Sequence, residues 1–557
     1  MHRAAWPRLV LLAVAAACVT RLALAARPGI WGDEIFSLAM ATGHSLEHPA
    51  AEARPELGDF VEPEPAVPSG SFHRYVEQES PPASPARVIR AVTLSDTNPP
   101  LYYLLLHAWT RLFGTSDAAL HLLSVACFLL AIPIVWHLGR ELGGDGVGQT
   151  AVLLFALSPV SLFYSVEGRM YSLLWVFATA LAWTTLALSR RGFRPMLVAA
   201  WVSLSAGGLL THYFFLFAWC GMLAWLGSAG ARGRRWAVAG MAMLTALAVA
   251  PWYSQVPESL GRWRVTGDWL AQPLPWPGAL AVPVSLGWRL LAGGGLWGGS
   301  EWVDGLLALM FVGMAVHLGR RGGIRTLLER DRLLPWAWVL AAVFGVFVFD
   351  LLRGTSASYL TRYALAGFPA AILLVALAVG QLPASARTGV LALIVLAWSA
   401  GAWPQLTRPV RPGASYITLD HALRDRLSPS DLVLVHSIPS GVIAVDRYLE
   451  PKLTLASWIA PLARRRVPED LERLLAGRRR VALVQVHHLS QPAPAEAWLR
   501  RHAKLVYHEI YNGELDRMMM ADTVTWTPAG LEALRKHQMT EIFYFEPETS
   551  GPFSFTR

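Results

Sequence analysis

The chain has 557 residues, of which 54% are apolar or aromatic and only 16% are charged. A soluble globular domain carries roughly 25% charged residues, so the composition excludes that class and indicates a protein built largely within a membrane. The net charge is +9, but the arginines cluster between apolar runs and form no basic stripe with interleaved aromatic residues. We therefore expect a membrane-lipid environment and no nucleic-acid partner.

The first apolar run covers residues 9–26 and follows Arg3 and Arg8. Taken alone, it fits a cleavable signal peptide as well as a retained span, because Ala23-Leu24-Ala25 resembles a cleavage site. The topology of the later runs favours a retained span.

Residues 27–98, here called the first loop, are polar, proline-rich and acidic. This composition predicts a large loop outside the membrane whose middle, 47–85, is partly disordered. Residues 99–113 (PPLYYLLLHAWTRLF) follow, and they predict a short amphipathic helix on the membrane surface, opened by proline. The sequence thus predicts one large outer loop with interfacial helices over residues 27–117.

Ten further apolar segments follow, and several approach the roughly 20 residues that a bilayer span requires, although the shortest pair, 197–210 and 213–229, could also be one long helix. With the first run they predict about eleven transmembrane helices, the later ones at residues 118–138, 150–165, 172–189, 197–210, 213–229, 237–253, 302–318, 333–352, 363–382 and 388–403. The arginine-rich loops then all fall on one face, which the positive-inside rule assigns to the cytoplasm. We therefore expect a cytoplasmic N-terminus, an extracytoplasmic C-terminus and a multi-pass protein of the cytoplasmic membrane.

Residues 404–557 return to the composition of a soluble domain. The segments DLVLVHS (431–437) and RVALVQV (480–486) have the length and β-branching of buried strands, and helical patterns alternate with them. This alternation predicts a small α/β domain with a partly parallel sheet. The boundary divides the chain into a transmembrane domain, 1–403, and an extracytoplasmic accessory domain, 404–557.

Several ionisable residues lie at the predicted outer ends of the spans, where a buried charge is costly and so indicates function. Each also has an ordinary explanation, such as interfacial solvation for adjacent acids, helix capping for Asp96 or packing for His212. An arginine on the outer face opposes the positive-inside rule, which weakens the solvation explanation. The candidates are Asp33, Glu34, Asp96, Glu167, Arg169, His212 and Arg362.

In their order along the chain, these residues and their neighbours resemble the GT-C membrane glycosyltransferases of the family 39 type. That superfamily includes protein O-mannosyltransferases, aminoarabinose transferases of lipid A and RgtA/B/C/D-like enzymes. The resemblance covers about residues 1–403 and departs at Asn98, where many relatives carry His or Lys. The matching motifs are Asp33-Glu34, Asp96-x-Asn98-Pro99-Pro100-Leu101-Tyr102-Tyr103, Tyr164-Ser165-x-Glu167-x-Arg169-x-Tyr171, His212-Tyr213 and Arg362-Tyr363 with Pro369.

The resemblance implies transfer of a sugar from a polyprenyl-phosphate donor to a protein, lipid or cell-envelope glycan, with inversion. It places Asp33 and Glu34 as catalytic residues, with Asp33 as the general base. Arg169 and Arg362 would bind the donor phosphate, whose oxygens a guanidinium fork matches. The residues expected to support the substrate site are Asp96, Glu167, Tyr171, His212 and Tyr363.

Two questions stay open at this level. Asp33, Asp96 and His212 carry oxygen and nitrogen ligands, so a divalent metal is a second expectation for the same site. A transporter or flippase of lipid-linked glycans, or an O-antigen polymerase or ligase, is the alternative function. A transporter usually shows inverted repeats and polar residues at the membrane midplane, whereas here the acids cluster at the outer ends.

Overall fold

The computed structural model describes residues 5–48, 50–95, 98–228, 232–261, 270, 273–274, 276–292, 301–407, 415–462, 464–486, 494–511 and 540–547. Helices dominate the chain up to residue 407, and a mixed sheet lies in the C-terminal part. The helices there are α1 (Ala5–Ala25), α2 (Gly32–Ala41), α3 (Pro85–Ser95), α4 (Leu101–Phe113), α5 (Asp117–Gly143), α6 (Asp145–Leu157), α7 (Pro159–Tyr164), α8 (Tyr171–Arg191), α9 (Pro195–Leu209), α10 (Phe215–Ser228), α11 (Arg232–Tyr253), α12 (Val256–Gly261), α13 (Val282–Ala292), α14 (Glu301–Arg320), α15 (Gly323–Leu327), α16 (Leu333–Arg353), α17 (Phe368–Gly380) and α18 (Ala384–Thr407).

The C-terminal part, here called the α/β region, begins with α19. Its helices are α19 (Ser415–Arg424), α20 (Pro439–Tyr448), α21 (Glu469–Leu475) and α22 (Pro494–His502), and the strands of its sheet are β1 (Val67–Pro68), β2 (Leu432–His436), β3 (Thr454–Trp458), β4 (Val481–Gln485), β5 (Ala503–Tyr511) and β6 (Thr540–Pro547). Short 3₁₀ helices occur at Ala50–Glu52, Pro55–Leu57, His73–Tyr75, Gly278–Ala281, Arg330–Arg332, Ala357–Tyr359, Thr361–Gly367 and Ala460–Leu462.

Seven helical segments among the described residues are long and apolar enough to cross a bilayer, so about eleven crossings are not confirmed. They are Trp6–Ala25, Asp117–Gly143, Tyr171–Arg191, Arg234–Tyr253, Val303–Arg320, Arg330–Arg353 and Thr361–Gly380. Four shorter apolar helices correspond to the remaining predicted spans, namely Asp145–Leu157, Pro195–Leu209, Phe215–Ser228 and Ala384–Ala400, and a fifth, Gly278–Ala292, was not predicted. At a rise of about 1.5 Å per residue, the 13 to 15 residues of α6, α9 and α10 fall short of a hydrocarbon core about 30 Å thick, whereas α18 continues to Thr407.

Large apolar side chains on the spanning helices are exposed, among them Leu11 and Leu12 on α1, Leu247 on α11 and Leu309 on α14. A contiguous exposed apolar surface is unfavourable in water and favourable against lipid tails. The chain is therefore a multi-pass membrane protein.

The predicted partly parallel sheet is present. Its order is β1-β3-β2-β4-β6-β5, with β2 parallel to both β3 and β4, and with β6 antiparallel to β4 and β5. Alternate residues of a strand point to opposite faces of the sheet. Every residue of β2 and β4 is buried, so both faces of the sheet are covered there. Leu432 and Leu434 join one apolar cluster, whereas Val433 and Val435 join the large core that continues into the helical bundle.

The first loop supplies the edge strand of this sheet, since Val67 pairs with Leu455 in antiparallel register. The sequence predicts partial disorder over 47–85, but the described residues of that segment are folded. Phe60, Phe72 and Tyr75 are buried and their rings pack against one another, so this acidic segment has an apolar core of its own.

Candidate functional site

The site is built around the first turn of α2, which carries Asp33 and Glu34. Successive helical residues point about 100° apart, so two adjacent acids on α2 cannot share one environment. The Asp33 side chain is 33% exposed, whereas that of Glu34 is 1% exposed. The two carboxylates that the sequence groups together therefore have different surroundings.

Glu34 ties α2 to the loop that contains Glu167 and Arg169. Its Oε2 accepts the Trp31 backbone N–H at 3.1 Å, and its Oε1 accepts the Gly168 N–H at 2.6 Å. Gly168 is needed here because a Cβ at that position would lie 2.4 Å from Leu120 Cγ. Such a buried carboxylate fixes the backbone at two points and acts as a scaffold for the site.

His121 on α5 completes this buried contact. Its Nε2 lies 3.2 Å from Glu34 Oε1, and its Nδ1 lies 3.2 Å from the Ala25 carbonyl oxygen. A carbonyl oxygen only accepts, so Nδ1 donates to Ala25, and the other ring nitrogen faces the Glu34 carboxyl group. Sequence reasoning missed His121, although a histidine within a predicted span is a signal that could have found it.

Arg169 reaches the same turn of α2 from the other side. Its Nη1 donates to the Asp33 backbone oxygen at 3.2 Å, to Ser37 Oγ at 3.2 Å and to Tyr103 Oη at 3.4 Å. The guanidinium is nearly buried, so these contacts hold it in one orientation beside Asp33. Ser37 and Tyr103 are further site residues that sequence reasoning did not assign.

Arg362 lies in the 3₁₀ segment that precedes α17 and meets Asp33 across 329 residues of sequence. Its Nη1 is 3.2 Å from Asp33 Oδ2, and its guanidinium stands over the Trp31 ring at 5.3 Å from the centroid. The Arg362 side chain is 7% exposed. The structure thus brings together Asp33, Arg169 and Arg362, as the sequence predicts.

Glu167 is buried near both arginines. Burial, only partly opposed by the positive charge of Arg362, raises the pKa of Glu167 to about 8. Its backbone oxygen accepts a hydrogen bond from Ser124 on α5. Near neutral pH this carboxyl group therefore holds a proton and can donate a hydrogen bond.

His212 lies between the rings of Tyr171 and Tyr363, with centroid distances of 6.4 and 6.2 Å. Its Nδ1 accepts the Phe214 backbone N–H at 3.2 Å, so the proton of the neutral ring is on Nε2. His212 and Tyr171 are buried, and Tyr363 is half-buried. These three residues form an aromatic wall next to Arg362, which is the chain neighbour of Tyr363.

The expected metal ligands are not gathered in the described part of the chain. Asp33 contacts Arg362, and Asp96 lies outside the described residues. Among the residues that the structure describes, no group of three or more His, Cys, Asp or Glu side chains could hold a metal ion. Metal binding through Asp33, Asp96 and His212 stays a prediction, and so does the role of Asp96.

Residues 97–254 match the family model described as dolichyl-phosphate-mannose-protein mannosyltransferase. No curated protein matches the sequence significantly. The structure is similar to ArnT from Cupriavidus metallidurans in the apo state, with a TM-score of 0.52, 13% identity and coverage of 96% of this chain and 97% of that one. The same protein bound to undecaprenyl phosphate gives a TM-score of 0.51 at 13% identity, covering 96% and 98% of the two chains.

A third likeness is to the archaeal oligosaccharyltransferase AglB from Archaeoglobus fulgidus, with a TM-score of 0.46, 13% identity and coverage of 85% and 69%. The likeness to ArnT shows the fold, and the family model adds an independent match within the helical part. The predicted resemblance to the GT-C glycosyltransferases is thereby confirmed: the chain has their fold, with an α/β region at its C-terminal end.

Proposed function

We propose that this protein transfers a sugar from a polyprenyl-phosphate-linked donor to an acceptor hydroxyl of a protein, lipid or cell-envelope glycan, with inversion. The observation that carries the proposal is the environment of Asp33. Its accessible carboxylate lies 3.2 Å from the nearly buried guanidinium of Arg362, and Arg169 donates a hydrogen bond to the backbone of the same turn of α2. This transfer requires a general base for the acceptor hydroxyl and cations that stabilise the leaving phosphate, and Asp33 with the two arginines would supply both. The similarity to an ArnT structure bound to undecaprenyl phosphate supports the donor class.

In the proposed reaction, Asp33 removes the proton of the acceptor hydroxyl. The acceptor oxygen bonds to the anomeric carbon from the face opposite the phosphate, so the configuration inverts. The bond between that carbon and the phosphate oxygen breaks, and the lipid phosphate leaves with the electron pair. Arg169 and Arg362 stabilise the additional negative charge that develops on the leaving phosphate.

Arg362 contacts Asp33 and is also proposed to bind the donor phosphate, so donor binding affects whether Asp33 can accept a proton. Arg362 Nη1 lies 3.2 Å from Asp33 Oδ2. A phosphate group offers the guanidinium a bidentate partner, and such charge-assisted pairs are stronger than a single contact. Donor binding therefore draws Arg362 from Asp33 and frees the carboxylate to accept a proton.

The arginine-rich loops support a location in the cytoplasmic membrane with the site on the outer face. Nucleotide sugars are absent outside the cell, so a donor there must arrive on a membrane lipid. We accordingly propose a cytoplasmic N-terminus and an extracytoplasmic α/β region.

The test is mass spectrometry of lipids and glycans in a strain that lacks the protein. One polyprenyl-phosphate sugar should accumulate, and one envelope glycan or glycoprotein should lose a sugar. Wild-type protein should restore the product, Asp33→Asn should not, and Asp145→Asn, an exposed acid at the start of α6, is the matched control. Restoration by Asp33→Asn as complete as by wild type would contradict the transferase and favour a transporter or flippase.

A further inference from the structure

A half-buried polar network joins the α/β region to the start of α2, and we call it the Asp117 clamp (Gly29, Ile30, Asp117, Arg447 and Tyr448). Asp117 is the first residue of α5, and its Oδ1 accepts Arg447 Nε at 3.0 Å and Nη2 at 2.8 Å. Its Oδ2 accepts the Gly29 N–H at 2.6 Å and the Tyr448 hydroxyl at 2.7 Å. One carboxylate thus receives donors from α20 and from the backbone just before α2.

Tyr448 carries the network to the next residue of the chain. Its hydroxyl accepts the Ile30 N–H at 2.9 Å while it donates to Asp117. Burial, followed by the nearby Asp117 charge, raises the pKa of Tyr448 well above its ordinary value, so the hydroxyl keeps its proton and remains a donor. The consecutive amides of Gly29 and Ile30 are therefore both held, one directly by Asp117 and one through Tyr448.

The end of α20 also holds the first loop at a second place. Asp446, the neighbour of Arg447, accepts the Gly70 and Phe72 N–H groups, each at 2.8 Å. Arg447 additionally donates to the Thr115 carbonyl oxygen at 2.9 Å, which fixes the guanidinium against the start of α5. Three consecutive residues of α20 therefore anchor the α/β region to two places in the first loop and to the start of α5.

The clamp lies next to the base in sequence and in space. Ile30 is followed by Trp31, and then by the first turn of α2 that carries Asp33. Tyr416 on α19 is also close to the base. Its pKa is raised by burial and then by the negative charge of Asp33, so α19 lies near enough to Asp33 for the two groups to interact. A carboxylate that must meet both an acceptor hydroxyl and Arg362 depends on this placement, because misplacement by about 1 Å can cost a hundredfold in rate.

We propose that Arg447 and Tyr448 are positioning residues of the active site, which hold the backbone of Gly29 and Ile30 and thereby set the place of Asp33. The proposal rests on the proposed function for the role of Asp33. In this arrangement Arg447 and Tyr448 are not themselves reacting groups, and they make the α/β region part of the scaffold that places the base.

The test uses the full-length protein in lipid nanodiscs and compares Tyr448→Phe with wild type by hydrogen exchange of the peptide that covers residues 28–36. The substitution removes the acceptor of the Ile30 N–H and leaves the Arg447–Asp117 pair. Losing one hydrogen bond should accelerate exchange at Ile30 by about two- to tenfold. Arg447→Lys, which cannot reproduce the pair of guanidinium N–H donors on Asp117 Oδ1, should act in the same direction at Gly29.

Tyr544→Phe is the matched control, because its hydroxyl bonds within the α/β region, to the Ala422 oxygen at 3.4 Å. This variant should leave exchange at residues 28–36 unchanged. A positioning role further predicts that Tyr448→Phe lowers kcat by a similar factor while undecaprenyl phosphate binds as in wild type, since Arg169 and Arg362 are intact. A merely structural role would lower thermal stability without changing kcat of the folded protein.

Unchanged exchange at Ile30 in Tyr448→Phe would overturn the clamp whatever reaction the protein performs. Faster exchange with an unchanged kcat would overturn the positioning role. Absence of any sugar transfer by the wild-type protein would overturn the proposed function and the positioning role together, whereas exchange at Ile30 would still report on the clamp.

Discussion

Replacing Arg362 by Lys keeps a positive charge beside Asp33 but removes the planar fork of the guanidinium. In the structure the Arg362 side chain is 7% exposed, lies 3.2 Å from Asp33 Oδ2 and stands over the Trp31 ring. A cation held in this way has one orientation, and a guanidinium so oriented can give two parallel hydrogen bonds to a phosphate. Lys would give a single point charge from a flexible stem.

The expected loss follows from one charge-assisted hydrogen bond to phosphate. Such a bond contributes about 1.5–3 kcal/mol, and a factor of ten in affinity corresponds to about 1.4 kcal/mol. Arg362→Lys should therefore bind undecaprenyl phosphate about ten- to a hundredfold more weakly than wild type. The measurement is titration of undecaprenyl phosphate into the purified protein in nanodiscs, monitored by tryptophan fluorescence because Trp31 lies beside Arg362.

Arg353→Lys is the matched control, since Arg353 ends α16 nine residues earlier and is exposed. A contact with lipid headgroups tolerates Lys, so the control should bind undecaprenyl phosphate like wild type. If Arg362→Lys binds as tightly as Arg353→Lys, the phosphate assignment is wrong and Arg362 serves only as the partner of Asp33.

Three further predictions concern the acids of the site. Asp33→Asn removes the proton acceptor and should lower sugar transfer by about 10²–10⁴-fold, the usual contribution of general-base catalysis; near-normal turnover in folded protein would refute the mechanism. Glu34→Gln should reduce transfer less, but it disrupts a buried contact among Trp31, Gly168 and His121 and should destabilise the protein by about 1–3 kcal/mol, visible as a lower unfolding temperature. The pKa of Glu167 lies at about 8, above its ordinary value, so the folded protein binds this proton more tightly than the unfolded chain. Stability should therefore fall as pH rises from about 5 to 8, by up to about 1.4 kcal/mol per pH unit, and Glu167→Gln should flatten that slope; equal slopes for both proteins would contradict the assignment.

The resemblance carried by the ordered motifs assigned distant residues to one site, and the structure places two of them in contact. Asp33 and Arg362 are 329 residues apart, yet both were expected at outer ends of spans, and they lie 3.2 Å apart. Arg169 also reaches the turn that carries Asp33. Membrane topology explains this success, because the bilayer assigns each span end to one of two faces before any tertiary contact is considered.

Local pattern could not assign separate roles to Asp33 and Glu34. Both are acids at the start of a helix, and only the packing of Gly168 and His121 against Glu34 places that side chain inside the protein. Local pattern also could not give the number of transmembrane helices. A short apolar helix has the composition of a transmembrane helix but is shorter than the bilayer requires. Hydropathy measures composition, and tertiary packing decides which apolar surface faces lipid.

By itself the sequence determined the membrane-embedded class, the partly parallel C-terminal sheet and the residues gathered around Asp33, because each depends on periodicity or on the cost of charge near a bilayer. Only the tertiary structure decided that the first loop is folded, that it adds β1 to that sheet and that the end of α20 holds the backbone before Asp33. The bond between Ile30 and Tyr448 joins residues 418 positions apart, and the bond between Gly29 and Asp117 joins residues 88 positions apart. The donors and acceptors that form them are ordinary polar groups in the sequence, and the partner of each is set only when the chain is folded.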